Sequence, residues 1–127
     1  MLGHADAAHA ETRPQALLPL IAPLSCSLVE VAEAIRLTTG SLMHSIYGSE
    51  AIEETYHCRF GLNPGLEHLL AGSALAITGR DARGEARALE LAGHPFYVLT
   101  QFQPERGALK GRLPPVVKVF VEAAAAH

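Results

Sequence analysis

The side chains able to do chemistry are sparsely placed. Two thiols, Cys26 and Cys58, seven histidines and the polar end of the stretch 94–105 are the candidates. Two cysteines without Cys-x-x-Cys spacing make neither a disulfide framework nor a metal knuckle, so both read as free, reduced thiols. His57 adjoins Cys58, but adjacent residues on a strand point to opposite faces and do not form a thiol–imidazole dyad. Cys26 lies between Ser25 and Ser27 with no glycines around it to build a sharp nucleophile-bearing turn. His4, His9, His44, His68 and His127 share no metal-ligand spacing and read as surface or satisfied polar residues. No metal and no cofactor is called for.

The stretch 94–105 reads His-Pro-Phe-Tyr-Val-Leu-Thr-Gln-Phe-Gln-Pro-Glu. A proline-led turn opens it, a run rich in aromatic and β-branched types follows, and Pro104 forbids continuation of a strand interior. Such a strand carries Gln103 and Glu105 to a rim. His94 lies at the far end, about 30 Å away if the chain is extended, and reads as a turn residue.

These residues resemble the end of the class I glutamine amidotransferase domain, in the form attached to CTP synthases. The order of further matches agrees: Arg36-Leu37, Tyr47-Gly48, Arg59-Phe60 with Asn63 beyond, and Glu90-Leu91 ahead of His94-Pro95-Phe96. Residues 35–105 are covered, with looser similarity on either side, and the stand-alone relatives of the CTP synthase C-terminal region are most alike. The fold this implies is α/β, α+β within this piece. It is the C-terminal half of a flavodoxin-like amidotransferase domain, a mixed sheet with flanking helices, spanning 1–127 as a single partial domain.

The resemblance also implies roles. Such a domain takes ammonia from glutamine with a cysteine thiolate on a strand-to-helix elbow, a histidine base and a glutamate that orients the histidine. Glu105 matches the orienting glutamate. The slot before Pro-Glu, where the family carries its histidine, holds Gln103, and a carboxamide has no group that titrates near neutral pH. No segment matches the Gly-x-Cys-x-Gly of the nucleophile, which in the family precedes the matched region. Glu105 is then vestigial. Arg59 matches an arginine that holds the α-carboxylate of glutamine, a task suited to a planar donor pair; a structural ion pair is the alternative.

Composition bounds the rest. A chain of 127 residues, 49% hydrophobic and 18% charged, fits one folded domain. A formal charge of −3 with scattered basic residues gives no basic stripe for nucleic acid. The apolar run 16–24 is broken by Pro19 and Pro23 and is far short of the roughly 20 residues a membrane span needs. Without the features of a signal peptide at the N-terminus, the cytoplasm is the expected compartment.

Residues 3–15 are expected to be a helix remnant and loop. The run 15–23 should be extended or turning. Residues 24–37 alternate as a strand, although Glu30-Val31-Ala32-Glu33-Ala34 would also suit a helix, and the resemblance favours the strand. Ser41 caps a short helix 42–47 that Gly48 ends. A strand 51–60 leads to Asn63-Pro64-Gly65, which opens a short helix stopped by Gly72. Strands 74–78 and 85–91 flank a type I turn at Asp81-Ala82-Arg83-Gly84. Strand 96–102 follows, and Leu113-Pro114-Pro115 introduces a terminal helix 116–125 that packs on the sheet.

Three readings follow. The chain is an amidotransferase-like piece inactive by itself, a pseudoenzyme whose uncovered strand edges call for a second copy or a separate N-terminal half. Alternatively it is a binding or regulatory module in which Arg59, Gln103 and Glu105 line a pocket for glutamine, a related amino acid or a partner peptide. In the third, an upstream segment carries the missing cysteine.

Overall fold

The computed structural model describes residues 3–15 and 17–127; the side chain of Cys26 lies outside the described residues. Six strands form one mixed sheet: β1 (Ala7–His9), β2 (Leu18–Leu37), β3 (Ala51–Leu62), β4 (Leu75–Asp81), β5 (Ala86–Leu91) and β6 (Val98–Thr100). The order is β1-β2-β4-β5-β6, with β3 pairing β2. β1 runs parallel to β2, and the other pairings are antiparallel. Two α-helices flank the sheet, α1 (Leu42–Tyr47) and α2 (Pro115–Ala126), together with 3-10 helices Pro64–Leu70 and Pro104–Lys110.

β2 is the organising element. It passes through both prolines that argue against a continuous strand, and the ladder explains how. Pro19 lies beside Ala8 of β1, beyond the point where Ile21 meets Leu62 of β3. Pro23 sits where the β3 register shifts, so its missing N–H falls at an irregularity. A second shift falls between Val29 and Val31, and Glu30 between them takes φ 54°. That bulge breaks the alternation that a sequence reading relies on. Residues 3–15 hold turns and β1, not a helix remnant. Their small polar residues have no apolar face to bury, and Ala10 N–H instead donates to Ile21 O at 2.8 Å.

Local signals set the remaining boundaries. Ser41 Oγ accepts from His44 N–H at 3.0 Å, and Gly48 closes α1 at φ 65°. Asn63 Oδ1 accepts from Gly65 N–H to open the first 3-10 helix. Gly84 takes φ 82° in the β4–β5 turn. β6 is shorter than the run 96–102 because Phe102 turns away into the core after Gln101.

The core joins Leu28, Ile35 and Leu37 of β2 to Met43, Tyr56, Ala88 and Phe102. The rings of Tyr56 and Phe102 meet edge to face at 6.2 Å. Glu90 ties α1 to the sheet, its two carboxylate oxygens accepting from Leu42 N–H at 3.0 Å and Met43 N–H at 3.1 Å. Among the described residues no helix is long and apolar enough to cross a membrane.

Candidate functional site

The hairpin β4–β5, the C-terminal end of β3 and the segment after β6 converge on a cavity of about 490 Å³. Its walls are mainly apolar, with Leu20, Leu62, Leu75 and Leu89 among them, and its polar contributions include Cys58, Arg87, Gln101 and Gln103. Alternation along β3 decides which side chains reach it. Cys58 and Phe60 line the cavity, while His57 and Arg59 are exposed and do not.

Gln101 is fixed at both ends. Its Nε2 donates to Phe60 O at 2.8 Å, and its Oε1 accepts from Arg87 Nη1 at 2.9 Å. Gly61 lies against this carboxamide, and a Cβ there would stand 2.5 Å from Gln101 Nε2. Strand β3 can pass this close only because residue 61 has no side chain.

Arg87 is the buried charge of the site, 1% exposed. One guanidinium nitrogen, Nη2, donates to Asp81 Oδ2 and Glu85 Oε2, both at 2.8 Å, and the group lies 5.9 Å from the centre of the Tyr56 ring. Burial alone would raise the Asp81 carboxyl. The N–H of Glu85, the Arg87 charge and the N–H of Arg83 outweigh it and hold the group below its ordinary value. Tyr56 is pushed up, chiefly by burial.

Gln103 and Glu105 do not meet. Gln103 lines the cavity, its N–H donating to Thr55 O at 3.0 Å and its Oε1 accepting from Arg106 at 3.3 Å. Pro104 is buried between them, and Glu105 is exposed on a different hollow, beside Phe96 and Phe120. Arg59 projects from the side of β3 opposite Cys58. Thus the three residues expected to share a pocket lie in three places.

Outside the cavity, Glu30 accepts from His57 Nδ1 at 2.9 Å and from Arg106. Its carboxyl is lowered, first by the Arg106 hydrogen bond and then by that of His57. The Cys58 thiol donates to Phe60 O at 2.9 Å. His94 is exposed, its Nδ1 accepting from Phe96 N–H. No group of three or more His, Cys, Asp or Glu among the described residues is placed to hold a metal.

Sequence reasoning passed over Arg87 and Gln101. A signal was present for the first: a lone arginine between Ala86 and Ala88, on a strand whose neighbours are too small to cover it, needs carboxylates close by. Asp81, read only as a turn residue, is one of them.

No family model matches the chain. The CTP synthase of Chloroflexus aggregans is 31% identical over 135 residues that take in 98% of this chain, and that of Methanothrix thermoacetophila is 37% identical over 87 residues, 68% of the chain. The chain is a relative of the CTP synthases. It spans about a quarter of the first of these relatives and 16% of the second. The glutaminase domain of the Trypanosoma brucei CTP synthase, solved with bound acivicin, superposes with a TM-score of 0.88 at 21% identity. That match takes in 99% of this chain and 53% of the neighbour. The fold is therefore that of a CTP synthase glutaminase domain, over the half that the chain spans, as the order of short motifs from Arg36 to Glu105 implies.

Proposed function

We propose that this chain is a glutamine amidotransferase-like domain that does not hydrolyse glutamine by the usual thiolate, imidazole and carboxylate relay. The observation that carries this reading is the place of Gln103. It stands in the slot before Pro-Glu and lines the cavity, and its carboxamide oxygen is engaged by Arg106. A carboxamide cannot take a proton from a thiol at neutral pH. Glu105, on another hollow, has no imidazole beside it among the described residues, and the Cys58 thiol is turned to a backbone carbonyl.

A second reading, a non-catalytic small-molecule module of the cytoplasm, is favoured by the cavity, whose volume suits a small ligand. Arg87 is its one lining arginine among the described residues, and its charge is committed to Asp81 and Glu85. Among the described residues the cavity therefore presents no uncommitted arginine to an α-carboxylate. The related domain of T. brucei holds acivicin, which supports small-molecule occupancy.

The test is to incubate the purified chain with L-glutamine and read ammonia and melting temperature in parallel. Ammonia should stay at the uncatalysed level. Saturable release that Cys58→Ala abolishes overturns the first reading. A melting temperature indifferent to L-glutamine, L-glutamate and their uncharged analogues counts against the second.

A further inference from the structure

Strand β6 ends the sheet: β5 pairs with one side of it, and no strand among the described residues pairs with the other. Leu91 N–H donates to Tyr97 O, Gln101 N–H donates to Arg87 O, and Leu99 lies opposite Leu89. Residues 97, 99 and 101 therefore turn their main-chain groups to β5. By the alternation of an antiparallel ladder, Val98 and Thr100 turn theirs outward. Neither residue's main-chain groups have a partner outside the β5 ladder among the described residues. A bare edge of this kind is a template for one more strand.

Two hollows flank this edge, and Leu99 and Thr100 line both. One is the cavity described above, to which β5 contributes Leu89, the cross-strand partner of Leu99. The other, also of about 490 Å³, has Phe96 and, from α2, Val117 and Phe120 in its wall. Ala88 and Glu90, which alternate with Leu89, face the core and α1, and α1 packs on α2. The hollows therefore lie on opposite faces of the sheet at one free edge. Successive side chains of an added strand point to opposite faces, so alternate residues would enter alternate hollows. Both walls are mainly apolar, and a strand covered on both faces is a continuous run of Val, Ile or Leu rather than an alternating one. Glu105 is the one charged residue lining the α2 hollow among the described residues. None of the ion pairs among those residues includes it, so a lysine or arginine on that face of the strand complements it.

We propose that the outer edge of β6 receives an extended segment of another polypeptide, about five residues apolar on both faces with a basic residue beside Glu105. Main-chain bonds to Val98 and Thr100 hold the segment, and the two hollows select its side chains. The probe is a fluorescein-labelled peptide with a Val-Leu-Val-Leu-Val core between lysines. One counterpart is flanked by glutamates instead, and another carries proline at the central position. Anisotropy reads binding to the full chain, and amide exchange followed by NMR reads where the peptide lies. The lysine peptide should bind saturably, the glutamate peptide about tenfold more weakly and the proline peptide not measurably. In the free chain the Val98 and Thr100 amides should exchange fast while that of Leu99 is protected. With the lysine peptide bound, the first two should slow at least about tenfold. Leu99→Lys, at a side chain 44% exposed, blunts the edge and should abolish binding with the circular dichroism spectrum unchanged. Thr100→Pro, which removes an outward N–H and no ladder bond, should do the same. Failure of the lysine peptide to bind overturns the proposal. So does binding that leaves exchange at Val98 and Thr100 unchanged, preference for the glutamate peptide, or protection of both amides by a second copy of the chain alone.

Discussion

Replacing Arg87 by methionine removes the buried cation and leaves its partners in place. The guanidinium is 1% exposed and the Asp81 side chain 2%, so the change strands a carboxylate in the interior. Breaking a buried pair from one side costs about 3–5 kcal/mol. Here the lower end applies. Asp81 keeps hydrogen bonds from Arg83 N–H and Glu85 N–H at 2.9 Å and a contact with the Arg83 guanidinium at 3.3 Å, and Glu85, 22% exposed, can turn to water. Gln101 also loses the donor to its Oε1 while keeping its bond to Phe60 O. A loss of about 3 kcal/mol lowers the melting temperature of a domain of this size by about 10–15 °C. Urea denaturation followed by circular dichroism reads the free energy directly. The double variant Arg87→Met with Asp81→Asn, which takes away the stranded charge, should be more stable than the sum of the single losses predicts. A single-variant loss under about 1 kcal/mol, or strictly additive losses, would refute the reasoning.

Other outcomes follow from the same geometry. Because Asp81 titrates below its ordinary value of 3.8, its contribution is fully present above that value and is lost as pH falls through the lowered one. Urea midpoints should hold steady from neutral pH to about 5 and fall below about 4, with Asp81→Asn flattening that fall. Gly61→Ala drives a methyl against a carboxamide pinned at both ends and against Leu24, 2.7 Å away, and should cost about 1–3 kcal/mol in the same assay. Glu90→Ala frees the first N–H groups of α1 and should cost about 1–3 kcal/mol, with faster amide exchange confined first to Leu42 and Met43.

What could be read in the sequence was what local chemistry dictates. Ser41 and Gly48 bound α1, Asn63-Pro64 opens the 3-10 helix, and Asp81 with Gly84 closes the hairpin, because caps and turns are decided within a few residues. β1 was not legible. Its three residues are a strand only because β2 lies alongside, and that pairing is non-local. β2 itself was half legible, since passage through Pro19 and Pro23 depends on where its neighbours end and where the register slips.

The site divides in the same way. Alternation correctly separates Cys58 from His57, the former in the cavity and the latter facing Glu30. It says nothing about Gln103 and Glu105, whose divergence arises from a buried proline and the start of a 3-10 helix. The tie of Arg87 to Gln101 spans β5 and the segment after β6, and the pairing of those strands, not the local sequence, brings the two together.

The most direct measurement is glutamate formed from L-glutamine, followed by proton NMR, for the wild-type chain and Gln103→His side by side between about pH 6 and 9. The account predicts no enzymatic glutamate from the wild-type chain at any pH in that range, because the group at the cavity end of the motif cannot accept a proton. Saturable glutamate formation by the wild-type chain would contradict it.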